Sequence, residues 1–305
     1  MKYIIILSAL FLFSACSERD NLDSQSVVLP SVELPNSTDN WIVENLALPY
    51  GIDAKYRWSK NAAPNAYLSP PEEKNVLPVL ETIKQLWIDL YDDARLGNSG
   101  FVKGNAPREI YLYSGRNINN RGVEVIATEG SPVKMSIYNV DTFDPKDATE
   151  VKRLMRSVHH AYARNLINHK PYDRTVFAKI SPEWYMDWES EITHATNIDI
   201  YSAFFHGAYR FGGFSFPSRK NIDDDFCEIV SIMLTHTKTD IDNMIAAAGR
   251  PNNSSDADEV ARALKAEQTL KTKRDFVIKY FKDEWRIDLQ RAQNISYLNT
   301  QKFLN

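Results

Sequence analysis

Residues 156–173 read Arg-Ser-Val-His-His-Ala-Tyr-Ala-Arg-Asn-Leu-Ile-Asn-His-Lys-Pro-Tyr-Asp, and this stretch decides the fold of the 305-residue chain. The pattern predicts a helix over residues 147–168, because Asp144-Pro145 lies just before this segment and Pro171 just after it. His160 and Arg164 are four residues apart, so the predicted helix places both on one face.

A metal-binding helix of the His-Glu-x-x-His type carries two histidine ligands four residues apart, and its glutamate activates water. Here His160 stands at the first ligand position, Ala161 replaces the base and Arg164 replaces the second ligand. A second predicted helix, residues 223–237, offers Glu228 as a further ligand. Catalytic zinc takes three protein ligands and a water, so His160 and Glu228 alone predict a vestigial zinc site without a catalytic base.

An arginine is always charged and cannot bind a metal. We therefore hypothesise that Arg164 pairs with Glu228 and takes the electrostatic place of zinc; the alternative is that Arg164 points into solvent. His159 points about 100° away from its neighbour His160 on a helix. A metal site rebuilt from other histidines stays open, and the remaining candidates are His169, His194, His206 and His236.

The N-terminus has the pattern of a secretory signal. Residues 1–3 carry one positive charge, residues 4–13 are apolar, and Ser14-Ala15-Cys16 follow. This pattern predicts a lipoprotein signal peptide over residues 1–15, with lipidation at Cys16. The apolar run is shorter than the roughly 20 residues of a transmembrane helix. Residues 16–39 are polar and predict a flexible tether, and residues 40–305 the folded domain.

The remaining pattern predicts an α+β fold with a small mixed sheet, two site helices and a long C-terminal helix within a helical part over residues 251–305. Apolar spacing predicts further helices over residues 76–95 and 257–282. Strand-like runs cover residues 52–58, 108–114, 123–127 and 133–138. The net charge is −4 and the basic residues are scattered, so nothing predicts nucleic-acid binding.

An aromatic, loop-rich region follows the broken motif, over residues 172–218. Its rings either pack beneath a long loop or line a groove for peptide or sugar. The glycines of residues 211–216 predict an exposed, mobile tip. The candidate ligand-binding residues are Tyr162, Trp184, Trp188, Tyr209 and Phe214.

Several segments carry a family resemblance: Asn40-Trp-Ile-Val-Glu-Asn, Tyr138-Asn-Val-Asp-Thr-Phe143, residues 151–173, and Phe226-Cys-Glu-Ile-Val-Ser-Ile-Met-Leu234. In these the chain resembles the substrate import-associated zinc metallohydrolase lipoproteins of Bacteroidetes. Their helix reads His-His-Glu-Phe-x-His, and His159 and His160 match its two leading histidines. The resemblance implies a gluzincin-type zincin fold, a lipid anchor in the outer membrane at the cell surface, and partners in a TonB-dependent transporter and a SusD-like lipoprotein.

Together these observations predict a catalytically inactive accessory subunit of a nutrient importer, which binds a peptide or glycan and has no resident cofactor. Two alternatives stay open. One is an active zinc metallohydrolase or peptidase with unconventional ligands; the other is a structural subunit that docks onto the transporter. Bound zinc would favour the first alternative.

Overall fold

The structure is a computed structural model that describes residues 35–59, 68–97, 99–118, 133–185, 208–215 and 217–305. The chain divides into residues 1–35 and a compact unit of residues 36–305. The predicted signal peptide, Cys16, the strand-like run 123–127 and Trp188 lie outside the described residues.

The compact unit begins with helix α1, residues 37–50, which consists of Ser37–Ile42, the π-helical turn Val43–Ala47 and Leu48–Tyr50. A capping box fixes its start, because Asn36 accepts a hydrogen bond from Asp39 N at 2.8 Å and the Asp39 carboxylate accepts one from Asn36 N at 3.0 Å. The ordered unit therefore begins inside the predicted tether of residues 16–39.

A three-stranded sheet follows α1 and consists of β1 (Asp53–Lys55), β2 (Glu109–Leu112) and β3 (Lys134–Ile137). The strand order is β1-β2-β3, and both neighbouring pairs are parallel, with Asp53 opposite Glu109 and Glu109 opposite Lys134. The described strands are thus parallel, whereas the sequence predicted a mixed sheet. Parallel pairing needs a long crossover, and the helical segments between β1 and β2 supply one.

The remaining helices agree with the main helical predictions, whose ends shift by a few residues. The helical C-terminal part holds two helices, of which the first is the predicted long one. In chain order, the helices after α1 are α2 (residues 76–91, with the π-helical turn Lys84–Ile88), α3 (Phe101–Asn105), α4 (Ala148–His169), α5 (Arg174–Ala178), α6 (Ile222–Thr235), α7 (Lys238–Ala248), α8 (Ala257–Trp285) and α9 (Leu289–Leu304).

Helices α4 and α6 pack side by side at the centre of the unit. β3 and α2 cover α4, while α8 and α9 cover α6, and the buried apolar side chains of these elements form one hydrophobic core. Cys227 is a free, buried thiol in this core. In the described part of the chain, no helix is both long and apolar enough to span a membrane.

The pair Gly212-Gly213 brings the backbone close to two side chains. Gly212 has a φ of 85°, and a Cβ at this position would lie 2.8 Å from Thr269 Cγ2. A Cβ on Gly213 would collide with the indole ring of Trp184. The turn is therefore packed on both sides, unlike the free tip that its glycines predicted, although the Phe211 side chain is 73% exposed.

We expect Gly213→Ala to lower the free energy of unfolding by about 1–3 kcal/mol, because the added methyl group forces the indole or the backbone to move. Urea denaturation measures the change. Gly104→Ala is the matched control: its Cβ would meet nothing within 4 Å, and alanine is favourable inside α3. An unchanged stability of Gly213→Ala would contradict this packing.

Candidate functional site

Charged side chains of opposite sign face each other along α4 and α6. Residues four apart share a helix face, and the contacts pair the N-terminal part of one helix with the C-terminal part of the other, so the helices run antiparallel. We name this set the charge ladder: Arg156, His160 and Arg164 on α4, and Asp223, Asp224 and Glu228 on α6.

Glu228 forms the buried end of the charge ladder, with a residue exposure of 2%. Its Oε2 accepts hydrogen bonds from Arg156 Nη2 at 2.5 Å and from Ser215 Oγ at 2.6 Å, while Oε1 lies 3.0 Å from His160 Nδ1. Burial raises the pKa of this carboxyl, but the charge of Arg156 and the hydrogen bonds outweigh it and hold the pKa far below its usual range. Both oxygens of Glu228 are therefore in use.

His160 lies between two carboxylates. Its Nδ1 faces Glu228, and its Nε2 lies 3.5 Å from Asp224 Oδ1. Burial lowers the pKa of the imidazole, but the hydrogen bonds and charges of Asp224 and Glu228 raise it more, and the net shift is upward. A charged imidazolium, which donates from both nitrogens, fits this position.

Arg164 pairs with Asp223 Oδ2 at 3.0 Å and with Asp224 Oδ1. The hypothesis that it pairs with Glu228 is wrong, and so is the alternative that it points into solvent, because its side chain is only 13% exposed. The antiparallel register explains the difference, since it places Arg156 at Glu228 and moves Arg164 one turn towards the start of α6.

A second buried ion pair lies beside the charge ladder. Lys273 Nζ is 2.7 Å from Asp225 Oδ2, and both side chains are fully buried. The same ammonium donates to Gly212 O at 2.8 Å, and Tyr185 donates to Asp225 at 3.0 Å. This pair fixes the backbone segment that carries Ser215 against Glu228.

His159 faces away from the charge ladder into an aromatic part of the core. It is fully buried, and its ring lies 6.2 Å from that of Tyr91, which packs against Tyr162. Among the described residues, neither ring nitrogen of His159 has a hydrogen-bond partner. Burial lowers its pKa to about 3, so the ring is neutral at pH 7.

Most of the predicted ligand-binding aromatic residues are part of the core. Tyr162 is fully buried, and Trp184 and Phe214 are each 2% exposed, so these three do not form a groove surface. The Trp184 indole nitrogen donates to Ser218 Oγ at 3.1 Å, and the indole ring packs against the backbone of Gly213. Tyr209 is the exception, because it lines a surface pocket.

The charge ladder does not fit zinc. Two guanidinium groups stand beside the carboxylates, Glu228 has both oxygens bonded, and a methyl group occupies the base position at Ala161. Within the described ranges, no group of three or more His, Cys, Asp or Glu side chains is placed to hold a metal ion. His169 is exposed at the end of α4, His236 follows α6, and His194 and His206 lie outside the described residues.

Sequence reasoning brought His160 and Glu228 together but missed Arg156, Asp224 and Ser215. The helical spacing could have identified two of them. Arg156 precedes His160 by one turn and Asp224 precedes Glu228 by one turn, so each shares a helix face with a predicted site residue. Ser215 carries no such signal, because it reaches Glu228 from a loop.

We expect Arg156→Met to lower the free energy of unfolding by about 3–5 kcal/mol, because it removes the guanidinium from the buried Glu228 carboxylate and leaves His160 to balance it. The double variant with Glu228→Gln should lose less than the sum of the two single variants, which a double-mutant cycle by urea denaturation measures. Arg95→Met, which breaks an exposed pair with Asp93, is the control and should lose less than about 1 kcal/mol. Additive losses would contradict a coupled pair.

The lowered pKa of His159 predicts acid sensitivity. Between an unfolded-state pKa of about 6.5 and the folded value of about 3, only the unfolded chain binds this proton, so stability falls as pH falls. We expect His159→Leu to flatten the slope of unfolding free energy against pH by roughly 1.4 kcal/mol per unit in this window. Equal slopes in His159→Leu and in the wild type would contradict a buried neutral His159.

Comparisons with known proteins agree with this architecture. A crystal structure of a putative zinc-binding metallo-peptidase from Bacteroides caccae ATCC 43185 is similar, with a TM-score of 0.64 and 22% identity over 87% of this chain and 92% of that chain. This likeness shows the fold alone. A search of curated proteins finds no match. A family model described as "Putative zinc-binding metallo-peptidase" matches residues 32–290, and the chain therefore belongs to that family.

Proposed function

We propose that this protein is a catalytically inactive member of its family, which binds a peptide or glycan as an accessory subunit of a TonB-dependent, SusC/SusD-type nutrient importer. One observation supports the absence of catalysis in this proposal. Arg156, His160 and Ser215 together contact both oxygens of Glu228, the carboxylate that would bind the metal.

Electrostatics opposes metal entry at this position. At Oε2 of Glu228, zinc would have to displace Arg156 and leave a buried guanidinium without its counter-charge, and at Oε1 it would have to displace His160 Nδ1. Arg164 places a second fixed positive charge one turn from His160, within the same ladder. The cations of the protein thus neutralise the acidic side chains that a metal would otherwise neutralise.

Among the described residues, no free proton acceptor lies at the place where hydrolysis needs one. Ala161 offers no basic group, and the nearby carboxylates of Asp224 and Glu228 are held in ion pairs and hydrogen bonds. A water at this site would find no free carboxylate in the described part of the chain to take its proton. The arrangement supports binding and structural roles rather than bond cleavage.

The proposal includes a gluzincin-type zincin fold. The approach of His160 on the first site helix to Glu228 on the second, at 3.0 Å, supports it, because such enzymes draw their ligands from two helices in this way. The lipid anchor at Cys16, the cell-surface location and the transporter partner rest on the sequence pattern of residues 1–16 and on the family resemblance.

Zinc content tests the proposal. The mature chain is loaded with excess zinc, dialysed and measured by mass spectrometry of metals, and its cleavage of a peptide mixture is followed in parallel. We expect substoichiometric zinc and no cleavage. The triple variant Arg156→Met, Ala161→Glu and Arg164→His, which restores a base and a second histidine and frees Glu228, is the positive control and should gain zinc.

Stoichiometric zinc in the wild-type chain, lost in His160→Ala or Glu228→Ala and accompanied by peptide cleavage, would contradict an inactive centre. It would favour the alternative of a hydrolase with unconventional ligands. Isolation with a transporter, but without binding of any peptide or glycan, would favour the purely structural role.

A further inference from the structure

Two surface pockets meet at the N-terminal end of α4, on the opposite side of Arg156 from His160. Their volumes are about 210 Å³ and about 340 Å³, and both are lined by Lys152, His236 and Asp240. We name their union the α4–α7–α9 groove. Lys152 precedes His160 by about two helical turns, so the groove is separate from the charge ladder.

The smaller half of the groove has an apolar floor, although Thr300 and Gln301 also line it. Val151, Met155 and Leu234 are buried beneath it, and Tyr297 and Leu304 of α9 form its side. A cavity of about 150 Å³ lined by apolar side chains is large enough to bind benzene. The apolar half of the groove, at about 210 Å³, therefore has room for an apolar amino-acid side chain.

Lys152 provides a positive charge at the junction of the two halves. It makes no hydrogen bond or ion pair with any residue that the structure describes, whereas Arg156 on the next turn is committed to Glu228. Partial burial lowers the pKa of Lys152, and the charge of Arg156 lowers it further while Asp240 opposes the shift. An anion beside Lys152 would offset both unfavourable effects.

The other two shared residues limit the charge of the ligand. Burial and the cations Lys152 and Arg156 lower the pKa of His236 to about 4, so this ring adds no positive charge at pH 7. Asp240 accepts hydrogen bonds from Thr237 N at 2.9 Å and from Thr237 Oγ1 at 2.7 Å at the start of α7. With one cation and one carboxylate in the groove, a singly charged carboxylate fits better than a doubly charged phosphate.

The larger half of the groove has a more polar surface. Tyr209, Asn243 and Met244 line it, and the exposed side chain of Phe211 follows Tyr209 in the same turn. An asparagine side chain both donates and accepts hydrogen bonds, as a peptide backbone requires. This half can therefore contact an extended peptide through ring faces and one amide.

We propose that the α4–α7–α9 groove binds the carboxyl-terminal end of a peptide whose last residue is apolar. Lys152 pairs with the terminal carboxylate, the last side chain enters the apolar half, and the preceding residues lie along Tyr209 and Asn243. This inference rests on the proposed function, which names a peptide or a glycan as the ligand, and it assigns a peptide to this groove.

The test uses the mature chain and a fluorescein-labelled peptide, Gly-Gly-Ser-Gly-Ala-Leu, with either a free or an amidated carboxyl terminus. Fluorescence anisotropy should show at least tenfold tighter binding of the free acid. Lys152→Met should weaken the free acid to the level of the amide and leave the amide unchanged. Leu304→Asp should weaken the free acid as well, because it places a negative charge in the apolar half.

Lys279→Met is the matched control, since Lys279 is an exposed lysine of α8 outside the groove, and it should bind both peptides as the wild type does. Equal affinity of wild type for acid and amide, no effect of Lys152→Met, or no binding of either peptide would overturn the proposal. Zinc content is unaffected by these outcomes, so failure of the groove is distinguishable from failure of the inactive centre.

Discussion

The buried ion pair between Arg156 and Glu228 is the interaction on which the centre of this protein depends. Two helices pack with charged side chains between them over residues 156–164 of α4 and 223–228 of α6, and a charge in the interior is tolerated only when it is paired and hydrogen-bonded. Glu228 meets that condition through Arg156, His160 and Ser215. The pairing fixes the register of α4 against α6, and with it the place of every other group at the site.

The same constraint explains how the two helices can keep their packing under the proposal of an inactive centre. Under this proposal Ala161 and Arg164 stand at the positions of a base and a ligand, while Asp224 and Glu228 still face the first site helix. The arginines on either side of His160 supply positive charge at these positions. The carboxylates thus remain compensated, and the helix pair keeps its packing.

Sequence predicted the helical parts of the fold well, and the site only in part. The ends of α4 lie close to the predicted limits because Pro145 and Pro171 mark them, and His160 meets Glu228 as the motif requires. The choice between Arg156 and Arg164 could not be made from spacing, since both are one turn from His160 and only the interhelical register decides. Trp184 and Phe214 were misassigned for a related reason: aromatic residues in a loop region have the same pattern whether they pack inward or line a groove. The parallel direction of the described strands depends on how the segments between them cross the sheet, and the residue pattern of a strand does not specify that crossover.

The most direct test of the buried Arg156–Glu228 pair is a crystal structure of the protein grown with excess zinc, with anomalous scattering collected at the zinc edge. We expect no anomalous peak between α4 and α6, and density for the Arg156 guanidinium against Glu228. A peak about 2.0–2.2 Å from both His160 and Glu228, with Arg156 displaced, would contradict it.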